Sequence, residues 1–190
     1  RMAVAYLAST IDFKLEVPRV TDNTWHIILY SDSDHAGDKN SGSAKSRTGV
    51  IILLNGMPIH WRSNKQPMSS ISSAQAEIYA MSETARDARL RLWVHEELGG
   101  TVAYPFHILV DNAAGISFQG STCQASKLRG IFDVRDKWVK DLKDVEVLRA
   151  VKVDTALNLA DIFTKCTSTA VRKTLMEELV RIARQISVAI

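Results

Sequence analysis

Asn55 and Gly56 stand between two segments rich in apolar and β-branched residues, at 48–54 and 57–62. An Asn-Gly pair favours the positive φ angles of a type I′ turn, so this pattern is a strong sign of a β-hairpin. Residues 25–31 have the composition of a further strand, and the polar, glycine-bearing stretch 32–47 is predicted to be a loop. The fold is therefore expected to open with three antiparallel strands.

A long helix is predicted after the hairpin, at 73–98, and Gly99-Gly100 ends it. Its apolar residues recur at helical spacing: Ile78, Met81, Ala85, Ala88 and Leu92. Trp93 is expected to reach the core from this helix. The segments that follow predict a strand at 106–110, helices at 113–118 and 132–142, a strand at 145–153, and a last helix from about 158 to 186 with a break at 166–167. This order predicts an α/β fold, a mixed sheet covered by helices, and leaves several such folds open.

Composition limits the class of protein. The 190 residues suffice for one full domain, and 46% hydrophobic with 24% charged residues is typical of a globular one. The longest aliphatic run, 50–54, is far shorter than the roughly 20 residues of a membrane span. Two cysteines, Cys123 and Cys166, indicate an intracellular compartment, cytoplasmic or organellar. Because the chain starts at Arg1 without a signal peptide, we expect a processed product or a piece of a longer chain.

Four acidic residues stand where predicted apolar elements end or begin: Asp32, Glu77, Asp111 and Asp161. Carboxylates at the ends of adjacent strands converge, and they repel each other strongly unless a cation lies between them. Such oxygen ligands suit Mg²⁺ or Mn²⁺, and two ions about 3.5–4 Å apart can bind the attacking and leaving oxygens of a phosphodiester. Taken singly, each acid is more often a helix cap or loop carboxylate, so the joint placement is what indicates a metal site.

Each of these acids stands in a distinctive local sequence: YSDSDHAGD at 30–38, SSAQAEIYA at 72–80, VDNAA at 110–114 and LADIFTK at 159–165. These four motifs resemble those of the ribonuclease H domain of copia-type LTR retrotransposons. Two further stretches are similar to the same family, LNGMPIHWRSNKQP at 54–67 and YLASTID at 6–12. The resemblance covers nearly the whole chain.

This resemblance implies a ribonuclease H-like fold, with a mixed five-stranded sheet flanked by helices. It also implies an activity, the cleavage of the RNA strand of an RNA/DNA hybrid with two Mg²⁺ ions. Carried over to this chain, Asp32 would bridge both ions and Glu77 and Asp111 would hold the ion that activates water. Asp161 would complete the ion on the leaving-group side. The implied domains are a segment at 1–24 like the end of a reverse transcriptase, a ribonuclease H domain at 25–166 and a helical extension at 167–190.

Residues for substrate binding are expected on two surfaces. Ser72 and Ser73 match family positions that line the minor groove of the hybrid, where a 2′-OH distinguishes RNA from DNA, and Asn112 could contribute there. Residues 39–76 contain no acid, and their cations could follow backbone phosphates: Lys39, Lys45, Arg47, Arg62 and Lys65. A solvated hairpin with edge lysines that discourage aggregation is the alternative for this stretch.

The chain departs from the family pattern at several positions. In GIFDVRDKW, at 130–138, Ile131 and Lys137 replace family histidines, Ala113 replaces a glutamine, and His35 replaces a tryptophan and is expected in a loop. These losses keep a second hypothesis open, a weak or inactive domain that binds nucleic acid or acts as a scaffold in an RNA–protein assembly such as an organellar ribosome. The expected partners are an RNA/DNA hybrid or structured RNA, an upstream reverse transcriptase or that larger assembly, and no membrane.

Overall fold

The computed structural model describes residues 4, 8, 11, 12, 24–37, 44–120 and 134–188. The strands of this part are Thr24–Trp25 (β1), Ile27–Asp34 (β2), Arg47–Leu54 (β3), Met57–Lys65 (β4), Thr101–Val102 (β5), Phe106–Val110 (β6) and Leu148–Lys152 (β7). Its α-helices are Ser73–Glu97 (α1), Ala113–Gly120 (α2), Val134–Asp144 (α3), Asp161–Thr164 (α4) and Thr169–Val188 (α5). A 3₁₀ turn, Thr155–Leu157, precedes α4.

A five-stranded sheet in the order β4-β3-β2-β6-β7 forms the centre of the domain. β2, β3 and β4 pair antiparallel, whereas β6 pairs parallel with both β2 and β7. The hairpin turn has φ angles of 49° at Asn55 and 80° at Gly56, both positive as a type I′ turn requires. The predicted mixed sheet and its Asn-Gly hairpin are confirmed.

The pleat of the sheet divides the core between two faces. Leu29, Val50 and Ile52 point to the face covered by α1 and α3, where they pack with Met81 and Phe106. Tyr30, Ile51 and Leu53 point to the opposite face and pack with Leu159 and Leu175 of the C-terminal segment. Successive residues of a strand point to opposite faces, so alternate residues of β2 and β3 contact different sets of helices.

Three predictions about elements were wrong in detail. β2 continues through the predicted loop to Asp34, because its polar residues still pair with β3 up to Asp34↔Arg47. β7 begins at Leu148 instead of at 145, because Val145 still donates its backbone N–H to the Asp141 carbonyl at the end of α3. Trp93 is 59% exposed, since it lies on the outer side of α1.

The C-terminal segment follows the prediction more closely. The expected long helix is interrupted near 166–167, which leaves the one-turn helix α4 and the longer α5. The predicted helix at 1–11 lies largely outside the described residues, as does the predicted start of the helix at 132, and the domain boundaries stay predictions. Within the described part of the chain, no helix is both long and apolar enough to cross a membrane.

Candidate metal centre and nucleic-acid interface

Three carboxylates converge at one end of the central strands. Asp32 lies in β2, Asp111 directly follows the parallel neighbour β6, and Asp161 is the first residue of α4. One carboxylate oxygen from each of the three acids lies within 4.8 Å of the corresponding oxygens of the other two. Asp32 and Asp161 are each only 4% exposed, whereas Asp111 is half-buried. Three acids from distant parts of the chain therefore form one compact oxygen cluster.

Gly49 allows α4 to lie against the sheet at this point. It pairs with Asp32 across the β2–β3 ladder and belongs to the same face of the sheet. A Cβ at this position would lie 2.5 Å from the Ala160 carbonyl oxygen and 2.7 Å from Cγ2 of Thr164. The missing side chain of Gly49 thus makes room for the segment that carries Asp161.

Two hydrogen-bonding side chains fix that segment to β2. The Thr164 hydroxyl donates to Oδ2 of Asp32 at 2.5 Å. The fully buried Asn158 donates from Nδ2 to the Ser31 carbonyl at 3.2 Å, and its Oδ1 accepts from the backbone N–H of Ala160. These bonds hold the start of α4, and with it the Asp161 carboxylate, beside Asp32.

Glu77 reaches the same end of the sheet from the first turns of α1. Ser72 caps this helix, because its Oγ accepts a hydrogen bond from the Gln75 N–H at 3.2 Å. Glu77 is 6% exposed and lies outside the three-acid group just described. Burial, and then the charges of Asp32 and Asp111, raise its pKa to about 8. The fourth predicted acid is therefore an electrostatic neighbour of the cluster.

The electrostatics of the cluster favour a bound cation. Burial, followed by the charge of Asp161, raises the pKa of Asp32 to about 7, against the lowering effect of the Thr164 hydrogen bond. Oε2 of Glu77 and Oδ1 of Asp161 are buried and lack a hydrogen-bond partner among the described residues. Lys165 places its Nζ 2.7 Å from Oδ2 of Asp161, which neutralises part of the charge. An all-oxygen donor set with unsatisfied buried atoms fits a hard divalent cation such as Mg²⁺ or Mn²⁺.

The predicted substrate residues do not all lie on one surface. Ser72 and Ser73 are exposed at the start of α1, and the half-buried Asn112 directly follows Asp111. Lys65 is exposed at the end of β4. Arg62, in contrast, lies against α1 and forms ion pairs with Glu83 at 3.3 Å and Asp87 at 2.8 Å. Arg62 and Lys65 lie on opposite faces of the sheet, because an odd number of positions separates them. Substrate binding by Arg62 stays a prediction.

The positions at which the chain departs from the family are only partly described. His35 is exposed in a turn, with Nε2 3.1 Å from the Ser70 carbonyl oxygen. Ala113 and Lys137 are exposed at α2 and α3 respectively. Ile131, Lys39 and Cys123 lie outside the described residues, and Cys166 is an exposed free thiol.

Sequence reasoning missed the residues that position the acids. Gly49, Asn158 and Thr164 contribute no metal-ligating carboxylate, so the search for acids passed over them. Thr164 and Lys165 stand inside the fourth motif, three and four residues after Asp161, and this spacing places them on the same side of a helical turn. That spacing was the available signal for these two, whereas nothing local to Gly49 or Asn158 indicates their partners.

Comparisons with known proteins find relatives of this chain among retrotransposon polyproteins. The chain is 30% identical over 138 residues to the retrovirus-related Pol polyprotein from transposon TNT 1-94 of Nicotiana tabacum, which covers 72% of the chain and 10% of the relative. It is 30% identical over 160 residues to the Pol polyprotein from transposon RE1 of Arabidopsis thaliana, covering 84% of the chain and 11% of the relative. The chain therefore spans about a tenth of the length of these polyproteins.

Two further comparisons complete this finding. The chain is 38% identical over 88 residues to secreted RxLR effector protein 161 of Plasmopara viticola, covering 46% of the chain and 59% of that protein. Among solved structures, LC11-RNase H1 in complex with an RNA/DNA hybrid superposes with a TM-score of 0.52 at 19% identity, covering 73% of this chain and 93% of the other. No family model matches the chain.

The chain has a ribonuclease H-like fold, as its five-stranded mixed sheet, its flanking helices and this structural likeness show. The sequence relatives then identify its particular kind. It is a ribonuclease H-like domain of the retrotransposon Pol type.

Proposed function

We propose that this domain hydrolyses the RNA strand of RNA/DNA hybrids with the help of two bound divalent ions, Mg²⁺ or Mn²⁺. The observation that carries the proposal is the convergence of Asp32, Asp111 and Asp161 within 4.8 Å, with the buried Glu77 as their electrostatic neighbour. Ions bound there would supply Lewis-acid stabilisation of the attacking and leaving oxygens of a phosphodiester.

The family resemblance suggests how these acids would share the ions. Asp32, which belongs to the three-acid cluster, would help to hold both of them. Glu77 and Asp111 would hold the ion that activates water. Asp161, which pairs with Lys165, would hold the ion on the leaving-group side.

Two features support a hybrid as the substrate. Ser72, Ser73 and Asn112 lie at the start of α1 and directly after Asp111, on elements that also carry Glu77 and Asp111. Hydroxyl and amide groups at such positions can bind the 2′-OH that distinguishes RNA from DNA. The similarly folded LC11-RNase H1 was solved with an RNA/DNA hybrid.

The test is cleavage of an RNA/DNA hybrid with different labels on its two strands, in Mg²⁺ and in Mn²⁺. We expect fragments of the RNA strand only, and their loss in Asp32→Asn and Glu77→Gln. Asp154→Asn is the matched control, because Asp154 is an exposed acid that caps the 3₁₀ turn through Ala156 N–H. Intact RNA after incubation with folded wild-type protein in both metals would contradict the proposal.

A second candidate is a domain that binds nucleic acid without cleaving it, inside a larger RNA–protein assembly. The observation that favours it is the exposed Lys137 at a position where the family carries a histidine. Retention of hybrids or structured RNA together with intact RNA strands would support this candidate. Linkage to an upstream reverse transcriptase and a cytoplasmic or organellar location stay predictions.

A further inference from the structure

A cationic pocket adjoins the acid cluster on the same side of the sheet. It is a cavity of about 410 Å³ whose lining includes four cationic side chains, from Lys45, Arg47, Lys65 and Lys165. Asp34 is the acid among the lining residues that the structure describes. The pocket shares a wall with the acid cluster, since Thr164 bonds to Asp32 and Lys165 pairs with Asp161.

The strand register places lining residues of the pocket next to the acid cluster, on the same face of the sheet. Asp34 follows Asp32 by two positions in β2 and therefore points to the same face. Arg47 lies opposite Asp34, and Lys65 lies opposite Arg47. This row of three is displaced from Asp32 by two residues, or about 7 Å along the strand.

Hydrogen bonds hold the walls of the pocket in place. Nη1 of Arg47 donates to Oγ of Ser63 at 3.2 Å, and Ser63 Oγ donates to the Phe163 carbonyl in α4 at 2.5 Å. The Gln66 N–H donates to the Ser46 carbonyl at 2.8 Å and closes the ends of β3 and β4. The cations are thus presented by the sheet and by α4 together.

We propose that this pocket is a subsite for a backbone phosphate of the nucleic-acid strand that crosses the acid cluster. The proposal rests on the proposed function. Lys165 is already paired with Asp161, and Lys45, Arg47 and Lys65 then outnumber Asp34 in the lining. The resulting net positive charge suits a phosphodiester anion. A displacement of about 7 Å is comparable to the axial rise of about two nucleotides of a DNA strand at roughly 3.4 Å each, so a strand bound at the acids is within reach of the pocket.

The test is the salt dependence of hybrid binding, measured by fluorescence anisotropy. Binding is measured in a Glu77→Gln background, in which cleavage is not expected, with two hybrids of unrelated sequence. Each phosphate contact that is lost lowers the slope of log affinity against log salt by about 0.9. We expect this reduction in Arg47→Gln and in Lys65→Gln, with several-fold weaker binding of both hybrids.

The controls separate a phosphate contact from a general effect. Lys65→Arg keeps the charge and is expected to keep the slope. Lys173→Gln removes an exposed lysine of α5 that pairs with Glu177 at 3.9 Å, and it is also expected to keep the slope. Thermal unfolding of each variant establishes that it is folded. Unchanged slopes in both Arg47→Gln and Lys65→Gln overturn the subsite.

The outcome is distinguishable from failure of the proposed function. If the variants show the expected changes in slope but the wild-type protein leaves RNA intact, the subsite proposal stands and the nuclease proposal fails. If the wild-type protein cleaves RNA but the slopes of the variants are unchanged, only the subsite proposal fails. Absence of any hybrid binding overturns both. Competition by inorganic phosphate alone at concentrations well below those that screen charge would indicate a small-anion site and would also overturn the strand subsite.

Discussion

The Thr164 hydroxyl donates a hydrogen bond to the Asp32 carboxylate across 132 positions of the chain. It also approaches the Asp161 carbonyl of its own helical turn at 3.1 Å. One buried threonine thus connects the strand that carries the central acid with the helix that carries another. Thr164 positions these acids, and its removal should affect both the stability of the domain and the ionisation of Asp32.

Thr164→Val tests this role, because valine keeps the shape of threonine and removes the hydroxyl. We expect a loss of about 1–3 kcal/mol in the free energy of unfolding, since the buried Asp32 oxygen loses its partner. The hydrogen bond lowers the pKa of Asp32, so the acid limb of the pH–rate profile should move to higher pH. Urea unfolding and the pH–rate profile measure the two effects. Thr174→Val, on the exposed side of α5, should change neither, and an unmoved acid limb would contradict the role.

Gly49→Ala tests the close approach of α4 to the sheet. The added Cβ meets backbone at the Ala160 carbonyl, which cannot move aside as a flexible side chain does. We expect a loss of about 1–3 kcal/mol, as for other overpacked sites, and a greater loss of activity than stability alone explains. Gly115→Ala is the matched control, because its nearest neighbour is the flexible Met81 side chain. Similar stability and activity in the two variants would refute the role of Gly49.

Arg62→Gln tests whether this residue contacts nucleic acid or only stabilises the packing of α1 on the sheet. Arg62 pairs with Glu83 and Asp87 on the α1 face, where its charge stabilises the helix. We expect a loss of about 1 kcal/mol in stability, since these ion pairs are only partly buried, and an unchanged salt slope of hybrid binding. The comparison with Lys65→Gln is direct, because the two residues lie three positions apart on opposite faces. A reduced salt slope in Arg62→Gln would show that it does contact nucleic acid.

The pH dependence of stability tests the effect of burial and of mutual repulsion on the acids of the cluster. Asp32 and Glu77 have folded-state pKa values of about 7 and about 8, above those of unfolded carboxyl groups. Between about pH 4 and these values the native state holds protons that the unfolded state has lost, so stability falls as pH rises, by up to about 1.4 kcal/mol per pH unit for each group. In chelator, the melting temperature should fall from pH 5 to pH 8 and level off above it. Asp32→Asn should flatten the curve, and equal slopes in both proteins would contradict this origin.

Much of the fold could be predicted from local patterns. The hairpin followed from Asn55 and Gly56, and the long helix from its apolar period and its glycine ending. The extension of β2 to Asp34 could not, because backbone pairing with β3 sustains a strand whose side chains are polar. Trp93 was misplaced because a large apolar residue was assumed to be buried, although single apolar residues are common on protein surfaces.

The site could be predicted as a set of acids but not as a geometry. Asp32, Glu77, Asp111 and Asp161 follow from motifs, whereas Gly49 and Asn158 act through contacts between distant segments. Arg62 and Lys65 show the same limit at short range, since grouping cations by sequence ignores the alternation of a strand.

The most direct measurement of the central claim, that the acid cluster binds divalent ions, is the shift in melting temperature on adding Mg²⁺ at pH 8.5. Wild-type protein should be stabilised by about 1.4 kcal/mol at a tenfold excess over the dissociation constant, a rise of a few degrees for a domain of this size. Asp32→Asn should show little shift, whereas Asp154→Asn should behave as the wild type does. No shift in the wild type, or the same shift in Asp32→Asn, would contradict the assignment of this cluster as the metal centre.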